Sequence, residues 1–123
     1  VMVVHGADGM DEISFSGDTY VAELKDGEVR EYVINPQQFG LPLHDVQRIQ
    51  VLNVEQSKDM VLDVLAGRPG PARDIVLLNA GATIYVAGLA DSLEAGIAAA
   101  VQAIDSGAAM RKLEQLKARA SIA

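Results

Sequence analysis

The first apolar stretch, Val1-Met2-Val3-Val4, is continuous rather than alternating, the pattern of a strand buried on both faces, as in a parallel sheet. It runs directly into His5-Gly6-Ala7-Asp8-Gly9-Met10-Asp11-Glu12, a turn rich in glycine and acid. Ile13 to Ser16 then reads as a second short strand, ended by Gly17-Asp18. The strongest local signal follows. Thr19–Leu24 and Val29–Ile34 flank Lys25-Asp26-Gly27-Glu28, and Asp-Gly suits a two-residue type I′ turn, whose central positions both need positive φ. The register set by that turn pairs Leu24 with Val29 and Val21 with Tyr32. It also sets Lys25 against Glu28 and Glu23 against Arg30, two pairs of opposite charge across the ladder.

Asn35-Pro36 stops the second arm of the hairpin, and residues 35–53 look irregular. Within them Phe39–Leu43 is a Gly/Pro-bearing connection and Val46–Leu52 carries no clear period. A helix is predicted from near Asn53 to Ala66, with Gln56 at the capping-box position, ended by Gly67, Pro69 and Gly70. Pro71 suits the first position of the next helix. From Ala72 to Ala87 that helix is apolar in nearly every direction, so it should be buried on most sides and form the central packing element. Asp91 or Ser92 caps a further helix with Leu93, Ile97, Ala100, Val101 and Ile104 as its inner stripe. Small residues at Gly96, Ala98, Ala99 and Ala103 allow close helix contact. Gly107 ends that helix or bends it into Ala108–Ala120, where Leu113 and Leu116 are expected to face inward. Strands occupy about 1–52 and helices about 53–120, an order that suggests α/β or α+β architecture.

At 123 residues the chain supports one domain with a modest core. It has no cysteine, which excludes a disulfide framework, a thiolate zinc site and a cysteine nucleophile. Ten Lys+Arg stand against 17 Asp+Glu, a net charge of −7. That balance argues against nucleic acid as a partner, although a metal ion bridging phosphates would supply its own positive charge. The acid is concentrated in residues 1–66, with 12 acidic against 4 basic side chains; residues 67–123 carry 5 against 6. Arg111, Lys112, Lys117 and Arg119 fit a solvated last helix with cations near its negative end. No stretch is long and apolar enough for a membrane span, and no signal peptide is visible; the expected location is cytoplasmic. The chain opens within an apolar run at Val1, and hydrophobic residues make up 50% of it even before glycine is counted. Both features suggest a piece of a larger protein.

Concentrated chemistry is found in the turn at 5–12. It follows an apolar strand, and open α/β sheets bind ligands beyond the carboxyl ends of their strands. Asp8, Asp11 and Glu12 bring three carboxylates within five residues, and Gly6 and Gly9 permit tight backbone turns. Adjacent carboxylates can hold Mg²⁺, a hard ion that keeps several waters and often binds one or two carboxylates plus substrate phosphates. On spacing alone, a solvated acidic turn is the simpler explanation. His5 lacks the G-x-S-x-G elbow that would accompany a serine triad, and His44 reads as a loop or partly buried histidine. Gly67-Arg68-Pro69-Gly70-Pro71 precedes a helix N-terminus but lacks the Gly-Lys-Ser/Thr of a phosphate loop, so turn and cap explain it. Asn79 and Thr83 are expected to satisfy hydrogen bonds rather than line a site.

The segment His5–Glu12 resembles the H-G-x-D-G-x-D-E motif of the anthranilate phosphoribosyltransferases. The resemblance continues through Phe39-Gly40-Leu41, Val64-Leu65-Ala66-Gly67 and Ala72-Arg73-Asp74-Ile75-Val76-Leu77-Leu78-Asn79-Ala80. It ends with Ala87-Gly88, Ser92-Leu93-Glu94-Ala95-Gly96 and Ile104-Asp105-Ser106-Gly107. It covers essentially the whole chain in order and departs at residues 48–53, where an expected glycine pair is absent. The implied fold class is α/β: part of a mixed, mostly parallel sheet with a β-hairpin, followed by three to four packed helices.

The resemblance implies a Mg²⁺-dependent transfer of phosphoribose from 5-phosphoribosyl-1-pyrophosphate to anthranilate, in tryptophan biosynthesis. The Asp-Glu pair that ligates magnesium in that family corresponds to Asp11 and Glu12. Residues 1–123 correspond to the C-terminal portion of the α/β domain. The glycine-rich and K-H-G-N-R phosphate-binding segments lie upstream, as does the small N-terminal helical domain through which the family usually forms homodimers. The chain alone is therefore expected to be inactive and, with faces left uncovered, to self-associate. A non-catalytic binding or regulatory relative of the same fold is the alternative.

Overall fold

A computed structural model describes residues 1–121. Strands β1 (Met2–Gly6), β2 (Thr19–Lys25) and β3 (Glu28–Ile34) form one sheet in the order β1-β2-β3, followed by helices α1 (Val54–Leu65), α2 (Pro71–Val86), α3 (Leu93–Asp105) and α4 (Ala108–Ala120). The α/β class, the hairpin and the helical second half agree with the sequence. The sheet within the chain does not. All its pairings are antiparallel, where a mostly parallel sheet was expected. The reason lies in the connection from β1 to β2, which contains no helix. A parallel neighbour needs a crossover, usually helical, whereas here Ala7 N–H donates to the Asp18 carbonyl at 2.9 Å and closes the loop at its base. The apolar run of β1 does not mark burial on both faces either. Val3 is 64% exposed, while Met2 and Val4 on the other side are half-buried.

The hairpin forms in the expected register, with Leu24 opposite Val29 and Val21 opposite Tyr32. Asp26 and Gly27 take φ values of 52° and 79°, as a type I′ turn requires. The cross-strand charges are used differently from the expectation. Arg30 pairs with Glu28 on its own strand at 3.3 Å. Glu23 instead accepts the Tyr85 hydroxyl at 2.6 Å and the Tyr32 hydroxyl at 2.8 Å, joining β2 to α2. The Tyr85 bond above all, helped by Tyr32 and Lys25 against partial burial, holds the Glu23 carboxyl below the usual glutamate range.

Ile13–Ser16 is not a strand. The segment packs into the core with Ile13, Ser14 and Phe15 buried, and its backbone bonds to side chains and a loop rather than to a ladder. Residues 35–53 hold two single 3-10 turns, Pro36–Phe39 capped by Asn35 and Val46–Ile49 capped by Asp45.

In α1 the Asn53 side chain accepts the Gln56 N–H at 2.9 Å, but the Gln56 side chain reaches back to Leu52 rather than to the cap. Arg68 N–H returns to the Asp63 carbonyl at 3.1 Å and closes the C-terminus. Helix α2 is the central element: Ile75, Leu77, Leu78 and Ala82 join Val21 and Ile34 of the sheet and Ile97, Ala100 and Ile104 of α3 in one core. Ser92 caps α3 through a bond from Ala95 N–H. Gly107 separates α3 from α4. On α4, Leu113 is half-buried, but Leu116 is 65% exposed and does not face inward as expected. No helix among the described residues is long and apolar enough to cross a membrane.

Candidate functional site: the turn after the first strand

Strand β1 delivers the chain to Gly6, where the backbone doubles back. Gly6 N–H donates to the Met10 carbonyl at 2.9 Å, and Gly9 N–H donates to the Gly6 carbonyl at 2.8 Å. The turn is tight enough that a Cβ on Gly6 would stand 2.5 Å from Asp8 Oδ1 and 3.1 Å from the Met10 Cβ. Any larger residue here would have to displace the Asp8 carboxylate from its bonds and crowd Met10 and Ser14.

Asp8 is the hub inside the turn. Its Oδ1 accepts Met10 N–H at 3.0 Å, and its Oδ2 accepts the hydroxyls of Ser14 at 2.6 Å and Ser16 at 2.5 Å. Burial works against the charge, but these bonds together outweigh it and hold the Asp8 carboxyl below the ordinary aspartate value. With both oxygens engaged by the protein, Asp8 is a brace. Beyond it, the buried segment is fixed to three other elements. Ile13 N–H and C=O bond to the Asn79 side chain on α2, each at 2.9 Å. Ser14 N–H donates to Thr19 Oγ1 at 3.0 Å. The Phe15 carbonyl accepts His44 N–H at 3.0 Å. The His44 ring lies 5.5 Å from that of Phe15, with its Nε2 2.7 Å from Asp74 Oδ2 on α2. His44 and Asn79 thus hold structure together, as expected of them.

Between the braced positions stand Asp11 and Glu12, both exposed. Neither is in an ion pair among the described residues. Partial desolvation by the surrounding turn first, and the adjacent Asp11 charge second, push the Glu12 carboxyl above its usual range although the residue is exposed. Two like charges stand side by side, and neither is paired with a cationic side chain among the described residues.

The donor set suits one ion better than others. Asp11 and Glu12 are hard oxygen donors, and no group of three or more His, Cys, Asp or Glu capable of holding a metal gathers among the described residues. A cation that demands three or four protein ligands is poorly served. Mg²⁺, which keeps waters and takes one or two carboxylates together with substrate phosphates, fits.

The other candidates resolve as structure. His5 lies on the exposed outer face of the sheet opposite Tyr20 and makes no side-chain hydrogen bond among the described residues. The Gly67–Pro71 segment borders a cleft of about 480 Å³ with Arg48, Arg68 and Arg73 at its rim. Arg73 is paired with Asp105 at 2.8 Å and Arg68 with Asp63 at 3.2 Å, and α2 starts at Pro71 without a side-chain cap. What sequence reasoning missed is the supporting shell of Ser14 and Ser16 around Asp8. The available signal was the polar–apolar–polar alternation Ser14-Phe15-Ser16, which puts both hydroxyls on one side of an extended segment.

Residues 1–110 match the glycosyl transferase family, a/b domain. The anthranilate phosphoribosyltransferase of Methylobacillus flagellatus is 66% identical over 118 residues, which are 96% of this chain and 35% of that protein. The Thiobacillus denitrificans protein of the same name is 60% identical, again over 96% of this chain and 34% of its own length. Among solved structures, anthranilate phosphoribosyltransferase from Thermus thermophilus superposes with a TM-score of 0.83 at 34% identity, over 93% of this chain and 33% of that one. The Saccharomyces cerevisiae enzyme in complex with PRPP and Mg gives 0.80 at 27% identity, over 92% of this chain and 33% of its own. The chain thus spans about a third of the length of the curated relatives it matches. By the match over nearly its whole length and by the shared fold, the chain belongs to the glycosyl transferase family as an α/β domain of that family.

Proposed function

We propose that residues 1–123 are the C-terminal portion of the α/β domain of an anthranilate phosphoribosyltransferase, with the N-terminal helical domain and the phosphate-binding loops supplied by the rest of the enzyme. In that enzyme Asp11 and Glu12 hold Mg²⁺ against 5-phosphoribosyl-1-pyrophosphate while phosphoribose passes to the amino group of anthranilate. The observation that carries this reading is the pair itself: two adjacent carboxylates, free of ion pairs among the described residues, raised on a turn whose third acid is consumed in bracing it. The relatives that share this chain at 60% identity and above carry the anthranilate phosphoribosyltransferase name, which supports the substrate assignment.

The metal, when bound, offsets the negative charge that develops on the departing pyrophosphate. The residues of this chain do the rest of the local work. Asp11 and Glu12 contribute the anionic oxygens. Gly6 lets the backbone fold back so that those oxygens stand beyond the end of β1. Asp8 stays ionised and fixes the turn from within. None of these groups orients donor and acceptor relative to each other, and such positioning is a large part of catalysis. Residues 1–123 alone should therefore be inactive, and the complete enzyme is expected to be a homodimer.

The test is made on the full-length protein. Asp11→Ala with Glu12→Ala should depress phosphoribosyl transfer severely, and each single substitution should raise the Mg²⁺ concentration needed for half-maximal rate. Near-normal kinetics of the double variant at limiting Mg²⁺ would refute the metal assignment. A full-length protein that folds but transfers no phosphoribose to anthranilate would refute the enzyme reading in favour of a non-catalytic relative.

A further inference from the structure

We propose that Asn79, on the central helix α2, is a positioning residue for the metal-holding turn, an inference that rests on the assignment of Asp11 and Glu12 as the metal ligands. Asn79 does not approach those carboxylates. It acts through the backbone of Ile13, the residue that follows Glu12. Its Oδ1 accepts Ile13 N–H at 2.9 Å, and its Nδ2 donates to the Ile13 carbonyl at 2.9 Å and to the Ile75 carbonyl at 3.0 Å. One carboxamide thus pairs with both polar groups of a single residue, as a neighbouring strand would, and ties that residue to the turn of α2 below it.

The location of this clamp gives it a functional meaning. Ile13 is 3% exposed, and a buried N–H and C=O left unpaired are costly. On the other side of the ligand pair, Asp8 holds Met10 N–H at 3.0 Å. Asp11 and Glu12 are therefore a two-residue projection fixed at both ends, by Asp8 at Met10 and by Asn79 at Ile13. The first anchor is local to the loop. The second is the one that refers the pair to the core, because α2 contributes Ile75, Leu77, Leu78 and Ala82 to it. Ligands held by a rigid outer shell bind metal more tightly than the same ligands on a loose one. Without Asn79, Asp8 would still shape the turn and His44 would still tie Phe15 to Asp74 of α2, but the residue next to Glu12 would lose its direct bonds to the helix.

The experiment uses the full-length protein with Asn79→Leu, Asn79→Asp, Thr83→Val and Glu12→Gln. Mn²⁺ binding is measured by electron paramagnetic resonance in the presence of pyrophosphate, and the Mg²⁺ dependence of turnover is measured beside it. Asn79→Leu should weaken Mn²⁺ binding about 10- to 100-fold, the range for loss of an outer-shell partner. The Mg²⁺ concentration for half-maximal rate should rise with it, while turnover at saturating Mg²⁺ recovers. Asn79→Asp keeps the acceptor for Ile13 N–H and loses the donor to its carbonyl. Its second carboxylate oxygen would face the Ile13 and Ile75 carbonyls, so binding should shift in the same direction, and the folded Asp variant is the reporter if the leucine variant does not fold. Thr83→Val removes a bond within α2, from Thr83 Oγ1 to the Asn79 carbonyl at 2.8 Å, without touching Ile13, and should leave the metal dependence unchanged. A fall in maximal turnover with unaltered Mn²⁺ affinity in a folded Asn79 variant would overturn the inference while Glu12→Gln still weakens binding. Unaltered binding in Glu12→Gln would overturn the metal assignment and the inference together.

Discussion

Gly81 of α2 and Gly96 of α3 meet where the two helices cross, backbone against backbone. A Cβ built on Gly81 would stand 2.6 Å from Ile97 Cγ1 and 2.7 Å from Ile97 N, and one built on Gly96 would overlap the Gly81 carbonyl oxygen. The obstacles include main-chain atoms of a packed helix, so no side-chain rotation relieves them. Gly96→Ala should therefore destabilise by about 1–3 kcal/mol through overpacking, despite the roughly 1 kcal/mol that alanine gains over glycine inside a helix. Gly17→Ala, where an added Cβ meets nothing within 4 Å, is the control and should be close to neutral. Urea midpoints at unchanged m-value read the difference.

This crossing shows how far the sequence carries. Gly96 and the alanines around it announce a close approach, but the partner glycine sits in a helix whose apolar residues point everywhere, and nothing in Ala72–Ala87 marks Gly81 as the contact. The hairpin was legible because its turn and its cross-strand pairs are local and agree. The pairing of β1 was not, since a continuous apolar run is compatible with either strand direction and only the helix-free loop to β2 decides it. Glu23 lies opposite Arg30 as expected but does not pair with it; its role as a tyrosine acceptor was not legible, because Tyr85 comes from an element 62 residues away. Asp11 and Glu12 stood out by adjacency as candidates, but on spacing alone a solvated acidic turn explains them as well, and their assignment as ligands comes from the family resemblance. Of their supports, Ser14 and Ser16 left a local trace in the alternation around Phe15, whereas Asn79 on α2 lies 66 residues from Ile13 and no local pattern reports that bond.

Asp8 gives the loop a pH signature. Its folded-state carboxyl lies below the ordinary aspartate value of 3.8 because Ser14, Ser16 and Met10 donate to it against the effect of burial. A depressed carboxylate contributes stability that is fully present above the unfolded value and is lost as pH falls through the folded one. Asp8→Asn should accordingly lower the melting temperature at neutral pH. The gap between variant and parent should close as the pH is taken below 3.8. A gap that stays constant down to acid would show that Asp8 is not held ionised by the two serines.

The outer face of the sheet bears on association. Val3, Tyr20, Leu24, Val29 and Val33 are exposed there, from 46% at Val33 to 68% at Val29, and β1 and β3 are edge strands of the sheet. Apolar surface on that scale beside open strand edges favours self-pairing. The 123-residue chain in isolation should show a mass in sedimentation equilibrium that rises with concentration, and Val3→Lys with Val33→Lys should suppress the rise. A compact monomer at high concentration would contradict this account of the face.

Glu12 is placed so that binding and stability pull in opposite directions. Burial, followed by the Asp11 charge, raises its carboxyl above the ordinary glutamate value of 4.5. The folded state therefore holds the Glu12 proton more strongly than the unfolded chain does, and ionisation of this group at neutral pH opposes folding. Glu12→Gln removes that opposition, so without divalent metal the variant should melt at a higher temperature than the parent at pH 7, with the advantage disappearing as pH falls below 4.5. Added Mg²⁺ with pyrophosphate should raise the melting temperature of the full-length parent by preferential binding to the native state and leave Glu12→Gln much less affected. Protons compete with the metal for the same oxygens, so the Mg²⁺ effect on the parent should fade on acidification. A Glu12→Gln variant that is less stable than the parent without metal would mean that the charge pair is already neutralised by the protein, and Asp11 and Glu12 would then be a structural pair rather than a ligand pair.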